Sequence, residues 1–230
     1  VELTEPSRSR DHTERMLRAL GARVEVEGTR VRVAAVGSLH ALDVRVPADP
    51  SSAAFLIALA VLSPGTSIVV PNVCLNATRT GVFDALRRMG AHVRIVPGAA
   101  QGGEETGSVE GAPSELSDVS VSEAEVPSMI DELPLLACVA SRARGTTEIH
   151  GAAELRVKES DRIAAVVSNL RAVGASAEEL PDGLVVQGSD APLRGSVRTY
   201  GDHRIAMAFG VLGALPGNEI EVDDPACVAV

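Results

Sequence analysis

Three times in this chain an Asp stands at the head of a long apolar run that a Gly-containing turn then ends. Asp49-Pro50 precedes residues 51–62, closed at Pro64-Gly65. Asp131 opens a run to Ser141, with Pro134 in its first turn, closed at Gly145-Thr146. Asp202 opens residues 203–214, closed at Pro216-Gly217. Asp is a good N-cap, and Pro in a first helical turn loses no backbone donor that the helix would use. The three runs therefore read as helices. They are apolar nearly all round, and such helices belong inside a domain.

Around each buried helix the same elements return. Amphipathic helices are expected at 11–20, 80–89 and 161–173, ending at Gly21-Ala22, Gly90-Ala91 and Gly174-Ala175. Hairpins are expected at 22–26 with 30–35, across Glu27-Gly28-Thr29, and at 175–179 with 184–187, across Pro181-Asp182-Gly183. Further strands are expected at 1–3, 42–46, 66–70, 92–96, 147–150 and 219–222, and weakly at 119–126. The Gly-, Glu- and Ser-rich stretch 97–111 reads as a loop. A β-α-β-α-β-β module thus recurs every roughly 70 to 80 residues, too long a period for a thin solenoid. The fold class is α+β, an inside-out α/β barrel with apolar helices at the centre and sheets outside. Such packing gathers the three helix N-termini, each with about half a positive charge and several unpaired N–H groups, into one backbone-built anion site.

That local preference runs against the global charge. The net charge is −10 and the pI about 5.0, which excludes nucleic acid and acidic membrane surfaces as general partners. Aromatic residues make up 2% of the chain, with no Trp, so neither an aromatic cage nor a base-stacking platform is available. Cys74, Cys138 and Cys227 are odd in number and lack metal-type spacing, which fits reduced, packed thiols in a cytoplasmic protein. His12, His40, His92 and His150 show no ligand spacing either, so no metal and no cofactor is expected. No targeting segment and no apolar run of membrane-spanning length is seen. Val1-Glu2-Leu3 reads as half a strand and residues 226–230 as an unfinished one, as in a piece of a longer protein.

The chemistry gathers where charge interrupts this apolar pattern. In Ala153–Arg162, seven of ten residues are charged or hydroxylic, directly before an amphipathic helix. Lys158 and Arg162 share a face if that helix reaches back to Lys158; otherwise Glu159 and Ser160 cap it. Cations at a helix N-terminus oppose its dipole, so an anion bound between them is one reading and a solvated salt-bridge cluster the other. Asp49 and Asp202 read first as caps. Asp131 differs: Glu132 follows it, and a carboxylate in a cationic cleft can accept a hydroxyl proton. Arg204, in the first turn after Asp202 with His203 beside it, suits bidentate binding of a phosphate or carboxylate. No Walker or dinucleotide glycine pattern occurs, and no Ser/His/Asp or Cys/His arrangement can be argued.

Five segments in order, Ser9-Arg10-Asp11-His12-Thr13-Glu14-Arg15-Met16-Leu17, Asp49-Pro50-Ser51-Ser52-Ala53, Ile130-Asp131-Glu132-Leu133-Pro134, Arg156-Val157-Lys158-Glu159-Ser160-Asp161-Arg162 and Gly201-Asp202-His203-Arg204-Ile205-Ala206-Met207, resemble the enolpyruvyl transferase family in its shikimate branch. The resemblance spans nearly the whole chain. It implies two domains closing on shikimate 3-phosphate and phosphoenolpyruvate, with enolpyruvyl transfer to the 5-hydroxyl and release of phosphate. By the same resemblance Asp131 is the base near that hydroxyl, Lys158 contacts the shikimate phosphate, Glu159 transfers a proton at the methylene carbon, and Arg162 and Arg204 clamp phosphoenolpyruvate. Arg10 matches a position that touches the shikimate phosphate in part of the family, and His203 supports the site. The resemblance further implies that residues 1–46 are the last module of a first domain and 47–230 most of a second. A Lys-Ser pair, an Arg pair and a Ser-Ser-Gln segment of the binding sites would precede Val1, and a Lys of some members falls at Val230. The full-length protein would be a monomer, and these residues alone would not turn over. Two alternatives stand beside this. One is the sister enzyme acting on UDP-N-acetylglucosamine, although its cysteine loop should lie in the first module and Cys74 stands elsewhere. The other is a non-catalytic remnant of the fold, against which the intact charged cluster argues.

Overall fold

The computed structural model describes residues 1–65 and 67–229. The chain begins with β1 (Glu2–Thr4), α1 (His12–Ala19), β2 (Val24–Glu27) and β3 (Arg30–Val33). These strands make an antiparallel sheet in the order β1-β3-β2, and Gly28 turns the hairpin at φ +61°, a region that glycine enters without steric cost. Ala22, Val24 and Val31, backed by Leu17 and Val33, form a small core of their own. The Asp11 side chain makes no cap bond to α1; its carboxylate accepts from Arg15 Nε at 2.9 Å and Asn76 Nδ2 at 2.7 Å.

The second and larger core begins with α2 (Pro50–Leu62), β4 (Ile68–Cys74), α3 (Gly81–Arg88), β5 (His92–Pro97) and β6 (Thr106–Ala112). Asp49 caps α2 as its sequence requires, accepting from the Ser51 and Ser52 amides. Next come β7 (Ser120–Val121), α4 (Leu133–Ala140), β8 (Thr146–Ile149), α5 (Arg162–Ala172), β9 (Ser176–Leu180) and β10 (Gly183–Gln187). Last are β11 (Arg194–Val197), α6 (His203–Gly213) and β12 (Glu219–Val222). Sheets of order β4-β6-β5 and β7-β8-β10-β9 and the parallel pair β11-β12 wrap three mutually packed helices, α2, α4 and α6. Every residue of α4 is buried, and one continuous apolar cluster runs from Ala53 to Leu215. This is the expected α+β arrangement with helices inside and sheets outside.

Several expectations need correction. Residues 42–46 alternate like a strand but form none; the Val44 side chain lies over Gly102, where an added Cβ would come within 2.8 Å of it. The stretch 97–111 is not all loop, because β6 lies within it and holds the centre of its sheet. Its glycines hid it. Gly107 and Gly111 are required by close approach: a Cβ at Gly107 would stand 2.3 Å from the Val96 carbonyl oxygen, and one at Gly111 3.0 Å from that of Ile57. β11 was not anticipated at all. The expected strand at 66–70 begins on Thr66, outside the described residues, and pairing runs on to Cys74. The position matched to a Lys, Val230, also lies outside them. Among the described residues no helix is long and apolar enough to cross a membrane.

Candidate active site

The segments that open α4, α5 and α6 meet at one end of the central helices. Asp131 does not cap α4. It sits in a short 3-10 turn, Ile130–Glu132, just ahead of the helix, and its side chain points to cations instead of backbone amides. Arg10 Nη2 donates to Asp131 Oδ2 at 2.6 Å, and Arg162 Nη1 to Oδ1 at 3.4 Å. Arg204 places Nη2 3.7 Å from Oδ2 and donates from Nη1 to the Asp131 carbonyl at 3.3 Å. Burial opposes the charge on Asp131. The Arg10 hydrogen bond and the charges of Arg204, Arg10 and Lys158 outweigh it and hold the carboxyl below its ordinary range.

α5 neither reaches back to Lys158 nor takes its cap from Glu159 or Ser160. Residues Ala153–Val157 form a 3-10 turn, and Asp161 caps the helix through the Ala164 amide at 3.0 Å. This frees the first helical residue, Arg162, to turn inward, where it is 1% exposed. Its guanidinium donates from Nε to Asp202 Oδ2 at 2.8 Å, from Nη2 to Asp202 Oδ1 at 3.3 Å and to Glu159 Oε2 at 2.6 Å, besides the bond to Asp131. These bonds use four of its five N–H groups. Asp202 also accepts from Ser160 Oγ at 3.0 Å and caps α6 through the Arg204 amide at 2.9 Å. Although burial works against it, the Arg162 hydrogen bond and charge keep the Asp202 carboxyl below its usual range.

Five of the seven candidate residues thus share one network: Arg10, Asp131, Glu159, Arg162 and Arg204. Lys158 stands at its edge, paired with Glu154, and reaches Asp131 through its charge. His203 begins α6 beside Arg204, and among the described residues its ring has no hydrogen-bond partner. Sequence reasoning missed two partners. Asp202, read as a cap, is both cap and counter-ion; the available signal was its place two residues before Arg204 in a charged motif. Glu132, 1% exposed, lies 3.5 Å from Arg204 Nη1, and burial together with the Asp131 charge pushes its carboxyl up. At the N-terminus of α2, Arg79 Nη2 reaches Asp49 Oδ1 at 2.8 Å and Ser51 Oγ at 2.9 Å. The helix openings are therefore populated by cations held on carboxylates, a surface suited to exchanging those carboxylates for an anionic ligand.

The family model for EPSP synthase (3-phosphoshikimate 1-carboxyvinyltransferase) matches residues 1–230. The chain belongs to the EPSP synthase family. It is 45% identical to a 3-phosphoshikimate 1-carboxyvinyltransferase of Desulforamulus reducens, over 100% of this chain and 54% of that protein. It is 48% identical to a protein of the same name from Thermus thermophilus, over 96% of this chain and 52% of the relative. Among solved structures it is similar to an EPSP synthase from Acinetobacter baumannii, with a TM-score of 0.93 and 38% identity, covering 100% of this chain and 53% of that one. The enolpyruvyl transferase NikO from Streptomyces tendae, at a TM-score of 0.71 and 23% identity, shares the fold. The chain spans about half the length of the curated EPSP synthase relatives it matches.

Proposed function

We propose that residues 47–230 form most of the second domain of an enzyme that transfers the enolpyruvyl group of phosphoenolpyruvate to the 5-hydroxyl of shikimate 3-phosphate and releases phosphate, a step towards aromatic amino acids. Residues 1–46 are the last module of its first domain. Their separate small core supports that division. The observation that carries the reading is Asp131 ringed by Arg10, Arg162 and Arg204, with each residue on a motif of the family.

The roles follow from charge and placement. Asp131 accepts the proton of the 5-hydroxyl as that oxygen attacks C2 of phosphoenolpyruvate, while Glu159 delivers a proton to its methylene carbon. The resulting tetrahedral adduct collapses by losing inorganic phosphate and a methyl proton, which regenerates the enol double bond. Arg204 and Arg162 hold the carboxylate and phosphate of phosphoenolpyruvate, Lys158 and Arg10 face the phosphate of the shikimate ring, and His203 supports Arg204. A carboxylate held below its usual range by an arginine is a weak base. Shikimate 3-phosphate therefore has to draw Arg10 off Asp131 and Lys158 off Glu154 before the proton moves. Proton transfers and fixed cations carry every step, so the reaction as written uses no cofactor. The same reading makes the full-length enzyme cytoplasmic and monomeric, and it makes residues 1–230 inactive alone, because about half of the related fold has no counterpart in them.

Calorimetric titration of the full-length protein tests the binding half of this proposal. Each substrate is titrated alone, so that no turnover consumes it; shikimate 3-phosphate is expected to bind, and Lys158→Ala to weaken it. A folded protein that binds neither compound contradicts the proposal and favours a non-catalytic remnant.

A further inference from the structure

His12 on α1, Cys74 at the end of β4 and Glu104 in the connection to β6 bring three different metal-ligand types together, with one donor atom of each lying within 4.8 Å of the others. His12 Nδ1 is 2.6 Å from Glu104 Oε1, and Cys74 Sγ is 3.9 Å from Glu104 Oε2. Donor atoms of a tetrahedral zinc site, at bonds of about 2.0–2.3 Å, stand roughly 3.3–3.7 Å apart. To admit the ion, His12 Nδ1 and Glu104 Oε1 have to move apart and Cys74 Sγ and the Glu104 carboxylate to draw together. The positions, 62 and 30 residues apart in sequence order, explain why spacing alone gave no hint of them.

We propose that His12, Cys74 and Glu104 form a binding site for a borderline-soft divalent cation of the Zn2+ type, bridging the first module to the second core. The donor set selects the ion class. A thiolate with an imidazole and one carboxylate suits zinc or cobalt, whereas magnesium and calcium require more oxygen donors. The supporting groups are also in place. Asn76 Nδ2 donates to Glu104 Oε2 at 3.1 Å and to Asp11 Oδ1 at 2.7 Å, orienting the carboxylate from behind as partners of metal ligands do. A dication also balances the local charge: Glu104, Asp11 and a Cys74 thiolate stand against Arg15, whose Nε lies 2.9 Å from Asp11 and 3.8 Å from Glu104. All three ligands line a cavity of about 640 Å³ between α1 and the segment 40–50, which gives the ion an entry path and leaves water for the fourth position. The ion would clamp α1, which buries no side chain fully, onto β4. This site is separate from the Asp131 network, so it stands whether or not the enzymatic proposal holds.

Cobalt(II) is the probe, because a bound thiolate gives a charge-transfer band and a tetrahedral site gives intense visible bands. The protein is expected to take up one Co2+ with both features, to lose them on adding Zn2+, and to rise in Tm with Zn2+. Cys74→Ser removes the thiolate band and the Tm rise, Cys227→Ser leaves both, and Glu104→Gln weakens binding at least tenfold without unfolding the chain. No band with the folded wild-type protein, or a band that survives Cys74→Ser, overturns the proposal and leaves His12–Glu104 as a plain hydrogen-bonded contact.

Discussion

Arg162 Nε lies 2.8 Å from Asp202 Oδ2, with the two side chains 1% and 0% exposed, so the charge that organises the site sits in the protein interior. Removing one member of a buried pair costs about 3–5 kcal/mol when the other is left with no partner. Arg162 without Asp202 keeps Glu159 at 2.6 Å and Asp131 at 3.4 Å, which lowers that cost. Asp202→Ala also removes the α6 cap, worth about 1 kcal/mol. Denaturant titration is expected to show a loss of more than about 2 kcal/mol, the cap plus part of the buried-pair cost. A loss under about 1 kcal/mol would mean that the buried pair contributes nothing beyond the cap.

Acid should weaken the fold through the same groups. The carboxyls of Asp131 and Asp202 titrate below their ordinary range in the folded state, so their stabilisation is complete above the unfolded value of about 3.9 and is lost as pH falls through the folded values. Glu132 has the opposite sign. Its folded carboxyl is pushed up, so the folded state binds the extra proton, and stability declines as pH rises from about 4.3 to the folded value. Denaturant titrations across pH should therefore show that decline flattened in Glu132→Gln. An unchanged slope would mean that Glu132 ionises in the fold as it does in the unfolded chain.

On the proposed function, Arg204 and Glu159 should separate by kinetics in the full-length protein. Arg204→Ala removes a charged hydrogen-bond donor worth about 1.5–3 kcal/mol, roughly ten- to hundredfold. That loss is expected in KM for phosphoenolpyruvate, with KM for shikimate 3-phosphate little changed. Equal effects on both substrates would assign Arg204 to structure alone.

Glu159→Gln keeps an oxygen acceptor for Arg162 but cannot deliver a proton. It should lower kcat by about 10²–10⁴-fold, the usual contribution of a positioned acid or base, with KM nearly unchanged. A kcat within about threefold of wild type would leave the methylene proton to another donor.

The close approach at Gly107 gives a test of the fold itself. A Cβ there meets the Val96 carbonyl oxygen at 2.3 Å, across the β5–β6 pair. Gly107→Ala is expected to destabilise by about 1–3 kcal/mol, as overpacking does, read by denaturant titration. No loss would mean that the two strands can part freely.

What the sequence revealed depended on how local its physics was. Asp49-Pro50 and Asp202 announce helix starts within a few residues, and the structure has both caps. β6 was missed because Gly107 and Gly111, which admit neighbouring backbone, look like loop composition. Residues 42–46 were misread because Val44 finds its apolar contact over Gly102 without any strand pairing. At the site, the charged motif before α5 was visible, but the burial of Arg162 depends on Asp202, forty positions away, and on Asp161 taking over the cap. Those relations arise only when α4, α5 and α6 converge.

The role of Asp131 is the claim on which the rest depends. Phosphate release from phosphoenolpyruvate and shikimate 3-phosphate by the full-length protein tests it directly. Release that requires both substrates, and that Asp131→Asn slows by about 10²–10⁴-fold while the protein stays folded, is the expected result. Release that continues at the wild-type rate in Asp131→Asn would contradict it.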